Sequence, residues 1–253
     1  VQFFERNRDG LQLTPVGETA FREAERLAAD MENLERQLVG QDSAPVGKVR
    51  LAATDTMVNA LISPMIAELV REYPDIELEV LTDNDVLNLS HREADLTLRP
   101  VNKPQATLEG ERIGTIESAI YAATSYRKRH TDLDLEHSPE QALWILPDES
   151  FSHLATGRWY RKHLKNASSI IRCNSLQAMH ALARAGAGLA ALPCYLGDST
   201  KELTRLSEPL EGEGVDLWLM VNHDTQQMAR VRIVMEFLTA RLTQLTPQVE
   251  GES

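Results

Sequence analysis

A chain of 253 residues, 42% apolar and 25% charged, has ordinary globular composition and enough length for one large or two modest domains around a sizeable core. The formal net charge of -12 speaks against a phosphate-binding surface as its main feature, because counterion release needs clustered Lys and Arg. Cys173 and Cys194 without a CxxC support neither a disulfide scaffold nor a zinc site and read as buried thiols in a reducing compartment. The short apolar runs, all interrupted by charge, predict no membrane span and no leader.

The first predicted element is a hairpin turned by Asn7-Arg8-Asp9-Gly10. Thr14 then serves as N-cap and Pro15 as first helical residue, where its missing N–H costs nothing. The helix carries Ala20, Ala24, Leu27, Met31, Leu34 and Leu38 at steps of four and three, a heptad seam. Such a helix either lies on its own domain or pairs with a second chain. The Gly/Ser/Pro stretch "GQDSAPVG" at 40 to 47 favours pairing, since it would detach the helix from the remainder of the chain.

Strand Lys48 to Ala53 leads to three capping side chains, Thr54, Asp55 and Thr56. A helical face comes next (Met57, Val58, Leu61, Ile62, Met65, Ile66, Leu69, Val70), split at Ser63-Pro64 into two pieces with Ser63 capping the second. Strand Ile76 to Leu81, a short helix capped by Asp85, strand Leu96 to Leu98 and strands between Arg112 and Ala123 complete a β-α-β-α-β alternation. The second set has helices after Ser125 and at Pro139 to Ala142, strand Leu143 to Leu146 and helix Ser152 to Leu164. It continues with strand Ser169 to Cys173, helix Leu176 to Ala185 and strand Leu189 to Leu192. Strand Val215 to Val221 and a closing helix from Thr225 to Leu245 end the pattern, and the tail "TPQVEGES" is expected to fray. The fold class is α/β with two lobes.

Gly186-Ala187-Gly188 follows a helix and precedes a strand, the reverse of a phosphate loop, so Gly186 reads as a helix C-cap. The seven histidines show no metal spacing, and Asp148, Ser152 and His153 are close only in sequence; helix capping explains the serine. No nucleophile, base or metal set argues for an enzyme, and no cofactor is expected. The informative positions are helix starts after strands, Thr54/Asp55/Thr56 in one lobe and Asn174/Ser175 in the other, because ligands of open α/β sheets bind beyond the carboxyl ends of strands. Each is also an ordinary N-cap by residue type. Arg99, ending "DLTLR", either counters a nearby Asp or Glu or reaches a ligand anion.

With "FFERNRDGLQLTPVGE", "PMIAELVREYPDIELEV", "READLTLRP" and "ALARAGAGLAALP", the chain resembles the LysR-type bacterial transcription regulators over essentially its whole length. The resemblance implies a two-lobed, periplasmic-binding-protein-like effector domain of type 2, preceded by a long linker helix and a remnant of a winged helix-turn-helix. Residues 1–14 would be the wing hairpin, with Arg6 and Arg8 near DNA phosphates and the recognition helix absent. Residues 15–39 would be the linker and dimerisation helix and 40–47 a hinge linker. Subdomain I would span 47–119 and 222–247, subdomain II 120–221. The resemblance carries effector contacts onto Thr54, Asp55, Thr56, Arg99, Val101, Thr124, Asn174 and Ser175. It implies a cytoplasmic homodimer or homotetramer with a small-molecule effector, no membrane partner, and promoter DNA bound only by the full-length protein. Relatives often present uncharged hydroxyls where Asp55 stands. A periplasmic-type solute-binding protein, which shares the two lobes but needs no heptad helix, is the alternative.

Overall fold

The computed structural model describes residues 1–7, 10–39, 45–82, 94–102, 108–135, 137–149, 156–164 and 170–251. Strands β1 (Phe4–Asn7) and β2 (Gly10–Leu13) form the predicted hairpin, with Asn7 opposite Gly10. Helix α1 (Pro15–Val39) starts as its residues dictate: the Thr14 hydroxyl accepts from the Gly17 N–H at 3.0 Å. The Thr14 N–H donates to the Phe3 carbonyl at 2.9 Å, and any side chain at Gly17 would run into that carbonyl, so hairpin and helix meet at backbone distance. Leu27 is 60% and Met31 67% exposed, so at these two positions the apolar seam is not folded back onto the rest of the chain.

Strand β3 (Gly47–Ala53) opens the first lobe. The residues after it form one almost continuous helical rod: α2 (Asp55–Met57), a π turn (Val58–Ile62) and α3 (Ser63–Glu72). The predicted break is therefore absent, and Ser63 is not the cap; Ile62 holds that position without a side-chain bond. The π turn is the physical reason. Pro64 has no N–H to offer, and the wider turn lets the Ser63 N–H reach back five residues to the Val58 carbonyl, which the Ser63 hydroxyl also engages.

Further along come β4 (Ile76–Thr82), β5 (Leu96–Pro100), β6 (Leu108–Ile116), β7 (Ser118–Ala123) and α4 (Thr124–Arg129). The segment from Pro139 to Gln141 makes only a 3-10 turn, followed by β8 (Trp144–Pro147), α5 (Thr156–His163) and β9 (Ile170–Cys173). After these lie α6 (Leu176–Arg184), β10 (Ala190–Pro193), α7 (Cys194–Gly197), β11 (Leu203–Arg205), β12 (Val215–Asn222), α8 (Ala229–Gln244) and α9 (Thr246–Val249). The helix predicted at Asp85, most of the linker at 40–47, and the start of the helix predicted from Ser152 fall outside the described residues.

The first lobe is a five-stranded sheet in the order β4-β3-β5-β12-β6, with β3 parallel to β4 and β5 and β12 antiparallel to β5 and β6. Strand β12, which the sequence reading assigned to the second lobe, thus belongs to the first lobe's sheet. Alternate residues Val49, Leu51, Ala53, Leu96, Leu98, Leu217 and Leu219 are buried against the π turn, α3 and α8, through Leu61, Met65, Leu69, Val231, Val234, Leu238 and Leu242. Helix α8 starts at Ala229, four residues later than predicted, because the stretch from Thr225 forms turns whose amides bond to Asn222 and Thr225 carbonyls.

The second lobe is an antiparallel sheet, β10-β7-β11, joined to the parallel pair β8-β9 through a bridge between Trp144 and Leu189. Side chains of β8 alternate: Trp144 and Leu146 face an aromatic cluster with Tyr126 and Tyr160, while Ile145 faces α6 through Met179 and Ala183. Gly186 ends α6 as predicted. At φ 79° it donates to Ala183 O at 2.9 Å and Ala187 donates to Leu182 O at 3.0 Å, the paired bonds of a Schellman motif.

The described part of the tail, residues 246–251, does not fray. Val249 is fully buried, and its carbonyl accepts from the Glu117 N–H at 3.2 Å between β6 and β7. The Thr246 hydroxyl donates to Ile113 O at 3.1 Å, the Thr115 N–H donates to Glu250 Oε1 at 3.1 Å, and Arg205 donates to Gly251 O at 2.9 Å. The tail thereby ties α8 to the crossover and to the second lobe.

Candidate functional site

The parallel strands β3 and β5 end side by side. The register pairs Ala53 with Leu98, which brings Thr54 next to Arg99 at their carboxyl ends. Thr54 is the N-cap of α2, its hydroxyl accepting from the Met57 N–H at 3.4 Å. The Asp55 carboxylate accepts from the adjacent Thr56 N–H through Oδ1 at 2.7 Å. The Thr54 and Thr56 hydroxyls share a hydrogen bond at 3.2 Å.

A residue that sequence reasoning missed completes this cluster. Tyr195 follows β10, yet its phenol is 2% exposed among Met57, Leu61 and the other first-lobe core residues. Its hydroxyl bonds to the Thr56 hydroxyl at 3.0 Å, and Thr56 is itself only 2% exposed. Burial pushes the phenol's pKa up to about 12; the Thr56 bond works against this and the Asp55 charge adds to it, so the proton stays on. The one available signal was an aromatic two residues after the strand-ending Pro193, where the chain must turn.

Arg99 is 6% exposed, opposite Trp218 in β12, and the Val101 N–H donates to Asp216 O at 2.8 Å as the chain leaves β5. In the second lobe Ser175 caps α6, accepting from the Ala178 N–H at 3.3 Å, with exposed Asn174 before it. Helix α6 packs beside α2, which brings this second cluster alongside the first lobe's turn. Thr124 is not gathered with them. It sits by Gly186 at the other end of α6, roughly 13 Å of helix from Ser175, and its hydroxyl bonds to Thr204 at 3.0 Å and to Glu202 O at 3.3 Å.

Of the wing candidates, Arg6 lies in β1 and Arg8 outside the described residues. Along the heptad seam, Ala24, Leu27 and Met31 are exposed and Ala20 half-buried, while Leu34 and Leu38 continue α1 with side chains outside those described. Ser152 and His153 are likewise outside. Among the described residues no group of three His, Cys, Asp or Glu could hold a metal ion, and no helix is long and apolar enough to cross a membrane.

Two α/β lobes joined by crossing strands, with polar helix starts meeting between them, define a two-lobed binding fold of the periplasmic-binding-protein kind. Residues 42–243 match the model of the LysR substrate binding domain, and the chain belongs to that family. It is 23% identical over 252 residues to the transcriptional regulator CrgA of Neisseria meningitidis, covering 96% of this chain and 83% of CrgA. A transcriptional regulator of Xanthomonas campestris is 29% identical over 118 residues, 47% of this chain and 34% of its own length. Among solved structures, CrgA, a LysR-type regulator, superposes with TM-score 0.68 at 21% identity over 96% of this chain and 84% of its own. The effector binding domain of AmpR from Citrobacter freundii gives 0.63 at 14% identity, covering 78% of this chain and 99% of that domain.

Proposed function

We propose that this chain is the sensing and pairing portion of a LysR-type transcription regulator. A small effector enters between the lobes at Thr54, Asp55 and Thr56, with Arg99, Val101, Asn174 and Ser175 around it, and shifts the angle between them. The shift alters the arrangement of paired winged-helix modules on promoter DNA. Subdomain I takes 47–119 with β12 and 222–247, and subdomain II the intervening chain. The observation that carries this reading is the Thr54–Thr56 turn at the carboxyl ends of parallel strands, the place where open α/β sheets bind ligands, in direct contact with Tyr195 of the other lobe's connection. The exposed stripe through Leu27 and Met31 supports α1 as the pairing helix.

Only a difference in affinity for two arrangements can move the lobes, so a coupling of about 1 to 3 kcal/mol sets the scale. The test is thermal shift against a metabolite panel, where a ligand at about 100 times its dissociation constant adds roughly 2.7 kcal/mol. Stabilisation lost in Thr54→Val is the expected result. A panel hit that Thr54→Val and Ser175→Ala leave untouched would move the effector elsewhere. The isolated chain should leave promoter DNA unshifted at moderate salt, and a tight, sequence-specific shift would contradict the reading.

A further inference from the structure

We propose that Tyr195 is the positioning residue that latches the lobes at the effector site, a role that rests on reading the Thr54–Thr56 turn as that site. The geometry is unusual in where the residue comes from and where it goes. Its backbone leaves β10, which pairs with β7 in the second lobe's sheet, and the neighbouring Cys194 N–H donates to Glu117 O at 2.8 Å in the crossover. Its ring enters the first lobe's core, and its hydroxyl ends on Thr56, which is bonded in turn to Thr54.

One side chain thus joins the crossover, the first core and the hydroxyls offered to a ligand. Thr56 has no open face, so a ligand reaches this pair through the half-buried Thr54 hydroxyl, and a ligand that takes the Thr54–Thr56 bond re-aims the Thr56 hydroxyl on which Tyr195 ends. The consequence travels one residue to Cys194 and hence to Glu117, whose own N–H holds the tail at Val249 O. A buried hydroxyl pair suits such a latch, since the phenyl ring keeps the core filled while the hydrogen bond alone decides whether the turn is held.

The test uses Tyr195→Phe, which keeps the ring, in the full chain without ligand, with residue-resolved hydrogen exchange as the readout. Losing one buried hydrogen bond should speed exchange roughly threefold to tenfold at Met57 and Val58, whose amides bond Thr54, and also at Cys194. The Ile145 and Asp95 amides, deep in each lobe, should speed by no more than the fall in global stability that urea unfolding of the same variant gives. On a Thr56→Val background the Tyr195→Phe effect should vanish. Acceleration confined to Met57 and Val58, no acceleration anywhere, or effects that multiply in the double variant would each overturn the latch. Because no ligand is present, failure here leaves the effector reading standing, and a metabolite panel without hits leaves the latch standing.

Discussion

Truncating Val249 to alanine tests the docked tail directly. The side chain is fully buried in the first lobe's core cluster, although composition alone would leave it solvated. Removing two methyl groups forfeits about 1.6 kcal/mol of transfer free energy at about 0.8 kcal/mol per group. A cavity term adds to this, because α9 is held in place by backbone bonds at Glu117 and by Glu250 and cannot simply collapse inward. The expected loss is therefore about 1.5 to 3 kcal/mol. Urea unfolding followed by circular dichroism should show a lower midpoint with an unchanged slope. A loss below about 0.5 kcal/mol, the range of an ordinary surface substitution, would mean that the tail contributes nothing and would refute the packing argument.

The Glu117 carboxyl has its pKa raised, first by burial and then by the neighbouring Glu250. A folded-state pKa above the unfolded one means the native state binds the extra proton, so this group's contribution falls as pH rises from about the ordinary carboxylate value to the raised one. Glu117→Gln should flatten the stability profile over that window in pH-dependent urea unfolding, and an unchanged profile would exclude the effect. Gly186→Ala forces an L side chain to φ 79° with its Cβ 3.1 Å from Ser125 Oγ; a cost of about 1 to 2 kcal/mol is expected by the same urea method. Leu27→Glu with Met31→Glu should halve the mass seen by light scattering without lowering the unfolding midpoint, and a mass unaffected by both charges would remove α1 from the pairing surface.

What could be read from the sequence was what local chemistry decides. Thr14-Pro15 begins a helix because of one hydroxyl and one absent N–H, and Gly186 ends another because of a backbone angle. Strands β3 and β4 announced themselves through short β-rich runs. What stayed hidden depends on residues far apart in the chain. Val249 finds a pocket built by β6, α7 and α8, and nothing in "TPQVEGES" encodes that pocket. Strand β12 joins the first sheet through partners about 100 residues upstream, and alternation within it is blind to which sheet receives it. At Ser63-Pro64 the residues did signal trouble in the helix, but a wider turn absorbed it where a break was expected. Tyr195 was hidden for the same reason as Val249: its meaning lies in a hydroxyl 139 positions away. Thr54, Asp55, Thr56 and Ser175 were legible as caps, and only their juxtaposition needed the fold.

Gly251 lies with its Cα region pressed against Cys194, where even a methyl group would come within 2.8 Å of Sγ. The thiol is wholly buried and burial raises its pKa, so in the docked state it is both shielded and a poor nucleophile. The protein therefore contains its own stopwatch. A maleimide dye can reach Cys194 only when its cover, of which Gly251 is one part, opens, and the labelling rate at that sulfur counts how often it does.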